Sequence, residues 1–401
     1  MQFSHFDLEF TANSDAEVQQ LQAAVTAYLK SSADLPERMA ELLNADTTQV
    51  ASSMPMAMML QCYLIKLAAH PKLGTTLQDL LVRIQTSECN DRERRHLAAL
   101  DAWVKADDSQ CLARLEAIVD DYPQDMIALR IAHYLHFYNG NGGDMARSTS
   151  RVLDDWPEDH AHYSFLLGMH AFGLEEQDQY AAAESFASRA LKINPADLWS
   201  IHAMDHIFYM QNQHQSGIAW LLEQAVQSQG TNNFRHHLVW HRALHHLASA
   251  QFDQVLEIYD QELTQCIEDD FYLDVCNNSA LLWWLDEAGV SVGNRWAPLA
   301  EIASQHATDR ELMFASLHYL LPLLKTQAPE VVQHLQNLEI WSHQNNHQGL
   351  VCRDVGLNTA ELMRVRAQNR LTNKTKSIPQ LERIGGSKAQ RSLFSSTHTL
   401  R

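Results

Sequence analysis

The residues best equipped for chemistry here are histidines, 22 among 401 positions, and they fall in groups. His202 and His206 stand four apart, and His237, His241 and His245 repeat that interval over three successive turns. On a helix, positions i and i+4 share a face, so each pair can aim two imidazoles at one point above it. That is how two ligands of a divalent metal are presented, and His202, His206, His237 and His241 are the candidate ligands. Asp205 adjoins His206 but lies about 100° round the helix from it, a poor position for joining the same ion. The HxxxH spacing lacks the glutamate of HExxH, so hydrolytic chemistry does not follow, and no residue is assigned a catalytic role. Packed between helices, imidazoles have a second use: each donates one ring N–H to a carbonyl or carboxylate. Trp199, Phe208, Tyr209 and Trp240 surround these positions in sequence and suit a packed, semi-polar wall.

The remaining clusters are weaker. Gly385-Gly386-Ser387 could make an anion-binding nest, but it lacks the lysine-serine ending of a phosphate loop and the GxGxxG spacing. A turn with Ser387 as a helix N-cap is the expectation. Trp283 and Trp284 read as core. Met54, Met56, Met58 and Met59 would fill an irregular core, or give a partner an adaptable apolar surface. Cys276 adjoins Asp274 by two positions, yet nothing marks it as a thiolate. The six cysteines are single, with no CxxC pair; a cysteine-based zinc site is not expected, and reduced thiols in a cytoplasm are.

What would hold such histidines in place is a set of helices. Only 14 glycines and 10 prolines interrupt the chain, too few for a fold turning every ten residues, and the stretches between are rich in Ala, Leu, Gln and Glu. From Ser164 to Pro195, small or apolar residues at Leu167, Ala171, Ala183 and Ala190 precede an Asn194-Pro195 stop. This is the pattern of a tetratricopeptide helix pair. Similar units run from Arg92 to Pro123, with Ala99 and Cys111 at small positions, and from His236 to about Gln265, in "ALHHLASAQFDQVLEIYDQEL". A further pair spans Leu198 to Gln229, broken near Asn212–Ser216. One such pair cannot bury its apolar face alone, so several must stack. The expectation is an all-α protein, a tetratricopeptide-like α-α superhelix built as a solenoid of antiparallel helix pairs. Residues 1–90 would be an N-terminal helical region of degenerate or capping repeats, 91–266 the recognisable repeats, and 267–401 C-terminal helical repeats with a shortened end. Asn139–Asp144 reads as the clearest loop, and the polar run after Gln368 as a connection.

Several separated segments resemble the tetratricopeptide repeat protein 38 family. They are "RHLAALDAW", "DMIALRIAHYLHFYNG", "ALKINPADLWSIHAMDHIFYMQ", "HLVWHRALHHL", "LDVCNNSALLWWL", "GVSVGNRW", "CRDVGL" and "IGGSKAQRS", in order across about residues 10–395. The resemblance, as to a bacterial-type relative, implies a repeat protein that mediates interactions and implies no mechanism. Asp274 lies in one of these segments and His318 between two of them, within the span of the resemblance, and both become candidates for closing a metal site. Arg353 lies in another; it could grip a carboxylate bidentately, although an ion pair with Asp354 is the plainer use. Where the family pattern continues as a helix, Ser392 to Thr399 is short and polar, which shortens the C-terminal cap.

Three functions compete. The leading one is a protein- or peptide-binding scaffold, with a His-rich concave groove formed by His202, His206, His237, His241, Trp199, Trp240, Asp274, His318 and Arg353. The second is a metal-dependent enzyme or small-molecule binder using the paired histidines, with a divalent metal as its cofactor; no other cofactor is indicated. The third is a self-associating scaffold. The charge of -19 opposes nucleic acid and anionic membranes as partners. No run of about eighteen apolar residues spans a bilayer. Met1 to Asp7 lacks the basic start and apolar core of a signal peptide, in keeping with the cytoplasm.

Overall fold

The computed structural model describes residues 1–44, 54–368 and 378–394. The run Asn369–Ser377 and the tail Ser395–Thr399, whose polarity is noted above, lie outside the described residues. Among the described residues the chain is all-α apart from a short N-terminal hairpin, and it divides into two compact units.

The first unit comprises Met1–His136, Gly142–Met204 and Val226–Asn232. Its hairpin, β1 (Gln2–His5) and β2 (Leu8–Thr11), closes at Phe6 and Asp7, with φ of 48° and 56°. It precedes α1 (Asp15–Leu29), α2 (Leu35–Asn44), α3 (Pro55–Ala68), α4 (Gly74–Gln85), α5 (Asp91–Val104) and α6 (Asp108–Asp121). Next come α7 (Met126–Tyr138), α8 (Gly142–Ser150), α9 (Tyr163–Glu175), α10 (Tyr180–Ile193) and α11 (Leu198–Met210), the last residues of α7 and α11 counting with the second unit. Antiparallel neighbours pack as pairs, α5 with α6 and α9 with α10, and α3 packs on α5 across the first of them. Ala99, Cys111, Leu167, Ala171, Ala183 and Ala190 are wholly buried, which is the close approach that their size permits. The four methionines of the N-terminal cluster are core residues, so they offer no partner surface. The expected loop at Asn139–Asp144 shortens to three residues, because Gly142–Asp144 already belong to α8.

The second unit comprises Phe137–Asn141, Asp205–Ala225 and the chain from Asn233. It holds α12 (His214–Gln224), α13 (Phe234–Ala248), α14 (Phe252–Ile258), α15 (Tyr272–Glu287), α16 (Trp296–Gln305), α17 (Met313–Thr326), α18 (Glu330–Ser342), α19 (His347–Val351), α20 (Leu357–Ala367) and α21 (Lys388–Ser392). Alternate helices α13, α15 and α17 lie side by side, with α14, α16 and α18 packed against them, as in stacked tetratricopeptide pairs. Among the described residues, two π-turns interrupt its helices. A π-turn at Tyr259–Leu263 runs into 3-10 turns at Thr264–Asp269, and a second π-turn covers Cys352–Gly356.

Helices α15 and α17 are buried on nearly every face: from Tyr272 to Leu285 only Leu273 is not fully buried, and Met313 to Leu323 are buried without exception. An exposed groove wall would alternate instead. Part of the cover over α17 is the C-terminal segment. Gly385 and Gly386 cross close to Tyr138 and Phe314 at φ of 90° and 83°, Ser387 caps α21 in a capping box with Gln390, and Phe394 lies with its ring 5.0 Å from that of His318. Arg366 fixes the end by donating to the Leu393 carbonyl at 2.7 Å.

Candidate functional site

At the head of the second unit, α11 and α13 bring four imidazoles and a carboxylate together. Asp205 is completely buried; one oxygen lies 2.8 Å from His241 Nδ1 and the other accepts from His245 Nε2 at 3.0 Å. The rotation that takes Asp205 off the His202–His206 face points it at α13. Asp205 is therefore the polar centre of the cluster, a role its sequence position beside His206 did not suggest. Gly217 on α12 provides the room: a Cβ there would collide with the His245 ring.

The hydrogen bonds select one set of tautomers. The Asn277 amide donates to His237 Nδ1 at 3.1 Å, so the proton of His237 sits on Nε2. That Nε2 lies 3.2 Å from His241 Nε2, which must accept. His241 then carries its proton on Nδ1, the atom facing Asp205. On the other branch, His214 Nδ1 donates to His245 Nδ1 at 3.2 Å, and His245 donates to Asp205 from Nε2. Every donor has an acceptor while all four rings are neutral. His206 joins by ring contact, its centre 4.8 Å from that of His241. His237 lies flat against Trp240 at 5.4 Å, and Trp240 stacks on Trp284 at 6.2 Å.

The electrostatics agree with neutral rings around one anion. Burial alone would raise the Asp205 carboxyl, but the donors on His241 and His245 overrule it and hold it well below the usual carboxylate range. Burial pushes His241 down to about 4 against the pull of Asp205, and pushes His237 well below its ordinary value. Burial and then the Asp205 charge raise the Tyr209 phenol to about 12.

The two facing Nε2 atoms are also spaced as metal ligands. Tetrahedral bonds of about 2.0–2.1 Å put two nitrogens roughly 3.3 Å apart. Asp205 already orients His241 as an outer carboxylate orients a ligating histidine. His237 would present a lone pair once its proton moved to Nδ1 and the Asn277 amide turned its oxygen towards it.

No family model matches the chain. Among solved structures it is similar to a Rap protein crystallised with competence and sporulation factor. That match has TM-score 0.49 and 10% identity and covers 89% of this chain and 99% of that one. A second likeness, to the tetratricopeptide domain of P58(IPK), has TM-score 0.23 and 11% identity over 89% of this chain and 91% of that one.

His202 and Trp199 belong to the first unit, where His202 stacks on Phe172 at 5.3 Å and the Arg130 guanidinium lies 4.1 Å over the Trp199 ring. His318 donates to the Phe314 carbonyl at 2.7 Å and faces Phe394. Arg353 is half exposed and pairs with Asp354 at 3.2 Å, the local ion pair that was its plainer reading. Asp274 bonds to Asn233 at 2.6 Å and faces His236, not the His237–His241 pair. His237 and His241 share a face of α13 as their spacing requires, and their rings meet edge to face. Cys276 is buried, which lifts its thiol far above the reactive range. The functional residues that sequence reasoning passed over are Asp205 and Asn277. Asp205 carried a signal: an acid on the flank of a histidine pair, where the next helix must pack.

Proposed function

We propose that the chain is a tetratricopeptide-type scaffold that binds a protein or peptide partner on the inner helices of its second unit, in a reducing cytoplasm. What supports this reading is the occupant already seated there. Residues 384–394 approach α17 as a peptide would: two glycines where the backbone passes Phe314 and Tyr138, a short capped helix, and buried Leu393 and Phe394. Arg366 addresses the main-chain carbonyl of Leu393, a contact any peptide offers. The partner so described carries an apolar pair at the end of a short helical turn.

The test is calorimetric titration of the full chain with a synthetic peptide of the sequence from Ile378 to Phe394. In the Gly386→Val variant a side chain would press on Phe314 in a left-handed backbone, freeing the seat. That variant should bind the peptide at about micromolar Kd, roughly 8 kcal/mol, and the parent chain at least tenfold more weakly. A variant with native circular dichroism and no binding would end this reading.

A second reading, metal or small-molecule binding at the imidazole pair, is favoured by one observation: the 3.2 Å approach of His237 and His241 Nε2, with Asp205 behind one ring and Asn277 behind the other. Metal uptake lost on His241→Asn would support it, and uptake unchanged by that variant would remove it.

A further inference from the structure

Next to the imidazole cluster, but about 100° round α13 from His237, His236 begins a different constellation. We propose that His236, Cys266 and Asp274 form a zinc site in the second unit. Their ligand atoms all lie within 4.8 Å of one another. His236 Nδ1 is 3.9 Å from an Asp274 oxygen; that nitrogen is buried and, among the described residues, makes no hydrogen bond. Cys266 and Asp274 are each 1% exposed.

An imidazole, a thiol and a carboxylate converging from three elements are a zinc donor set. Bonds of about 2.3 Å to sulfur and 2.0–2.2 Å to nitrogen and oxygen require donors some 3.3–3.8 Å apart. Side-chain movements of roughly half an ångström close the present spacing to that range. The Asn233 amide nitrogen occupies the electropositive position meanwhile, 2.6 Å from Asp274 and 3.3 Å from exposed Asp269. Asp269 or water would supply the fourth ligand. The thiolate selects zinc or cobalt over magnesium or calcium.

The backbone irregularity has a purpose in this reading. The π-turn at Tyr259–Leu263 and the 3-10 turns after it, ending at Asp270 with φ of 53°, set Cys266 opposite the first turn of α15. Without metal, the Cys266 Sγ–H donates to the Leu263 carbonyl at 2.9 Å and the Asn278 amide stands 3.5 Å from the sulfur. Metal binding releases that proton to solvent, and the Asn278 N–H remains to support the thiolate. The ion would pin the start of α13, the irregular segment and the start of α15 together. The inference is independent of the peptide seat, and neither test reads the other.

The full chain, stripped with chelator and dialysed, is titrated with Co2+ and then Zn2+. The expected result is one equivalent of cobalt at micromolar concentration, a thiolate-to-cobalt charge-transfer band in the near ultraviolet, and displacement of that band by zinc. Cys266→Ser abolishes the band and weakens zinc binding at least tenfold, while serine at half-buried Cys89, in the first unit, leaves both unchanged. If the serine variant does not fold, His236→Gln reads the same affinity loss from a less buried position. No stoichiometric cobalt, uptake without a thiolate band, or a band lost in Cys89→Ser and kept in Cys266→Ser would each overturn the proposal.

Discussion

Replacing Asp205 tests the tautomer network that organises the cluster. In Asp205→Ala, the N–H groups of His241 and His245 both lose their acceptor in a place water does not reach. An orphaned buried donor costs about 1–3 kcal/mol, so the pair and the small void together predict a loss of about 3–6 kcal/mol. Asp205→Asn is gentler. Its oxygen still serves one ring, and its NH2 faces the other, which must offer a lone pair. On the His241 side that reverses every bond out to Asn277; on the His245 side only the bond to His214 turns round. The cheaper choice is the second, at about 1–2 kcal/mol. Urea unfolding at pH 7 measures both losses, with the slope checked against the parent chain. Long-range 1H–15N spectra read the tautomers directly: His241 keeps its proton on Nδ1 in the asparagine variant, while His245 moves its proton to Nδ1. If Asp205→Ala costs less than about 1 kcal/mol, or if His241 carries its proton on Nε2 in the parent, the network is wrong.

Acid should weaken the fold through its buried imidazoles before ordinary carboxylates titrate. His241, His318 and His334 are each pushed down to about 4 by burial. The unfolded chain therefore takes up protons near pH 6.5 that the folded chain refuses, and stability falls as pH drops through that window. Each such group removes roughly 1 kcal/mol between pH 6.5 and 5.5, and His237, pushed well down by burial, adds to these three; a flat unfolding midpoint across that range would contradict their burial as neutral rings. His306, raised overall because bonds to Asp309 and Asp270 outweigh its burial, acts in the opposite sense and offsets part of the loss. Gly217→Ala should displace the His245 ring and cost about 1–3 kcal/mol, with the His245 tautomer signal shifted in the same spectra; an unchanged signal would mean that α12 moves instead. Glu93 accepts from the Thr11 backbone and hydroxyl at 2.8 and 2.6 Å, so Glu93→Ala should release the hairpin. Hydrogen exchange at Phe3, Phe10 and Thr11 would then accelerate at least tenfold while α9 stays protected, and equal protection in both chains would refute that anchoring.

The repeat pattern was legible because its causes are local. Small residues at Ala183 and Ala190, a proline at the end of a second helix and the scarcity of glycine all act through neighbours in sequence, and helix-pair boundaries followed from them. Helical spacing likewise showed that His237 and His241 share a face, since 3.6 residues per turn admits nothing else. Which faces meet was decided only by packing. Asp205 became the partner of His241 and His245 because α13 packs against its flank of α11, and no local rule names the helix that arrives there. His236, Cys266 and Asp274 are separated by irregular backbone with no spacing motif, so their convergence belongs wholly to the tertiary structure. The buried inner helices teach the same lesson. A groove was expected from the repeat alone, but the C-terminal segment folds onto α17, since apolar surface left open by one part of a chain is covered by whatever apolar residues can reach it.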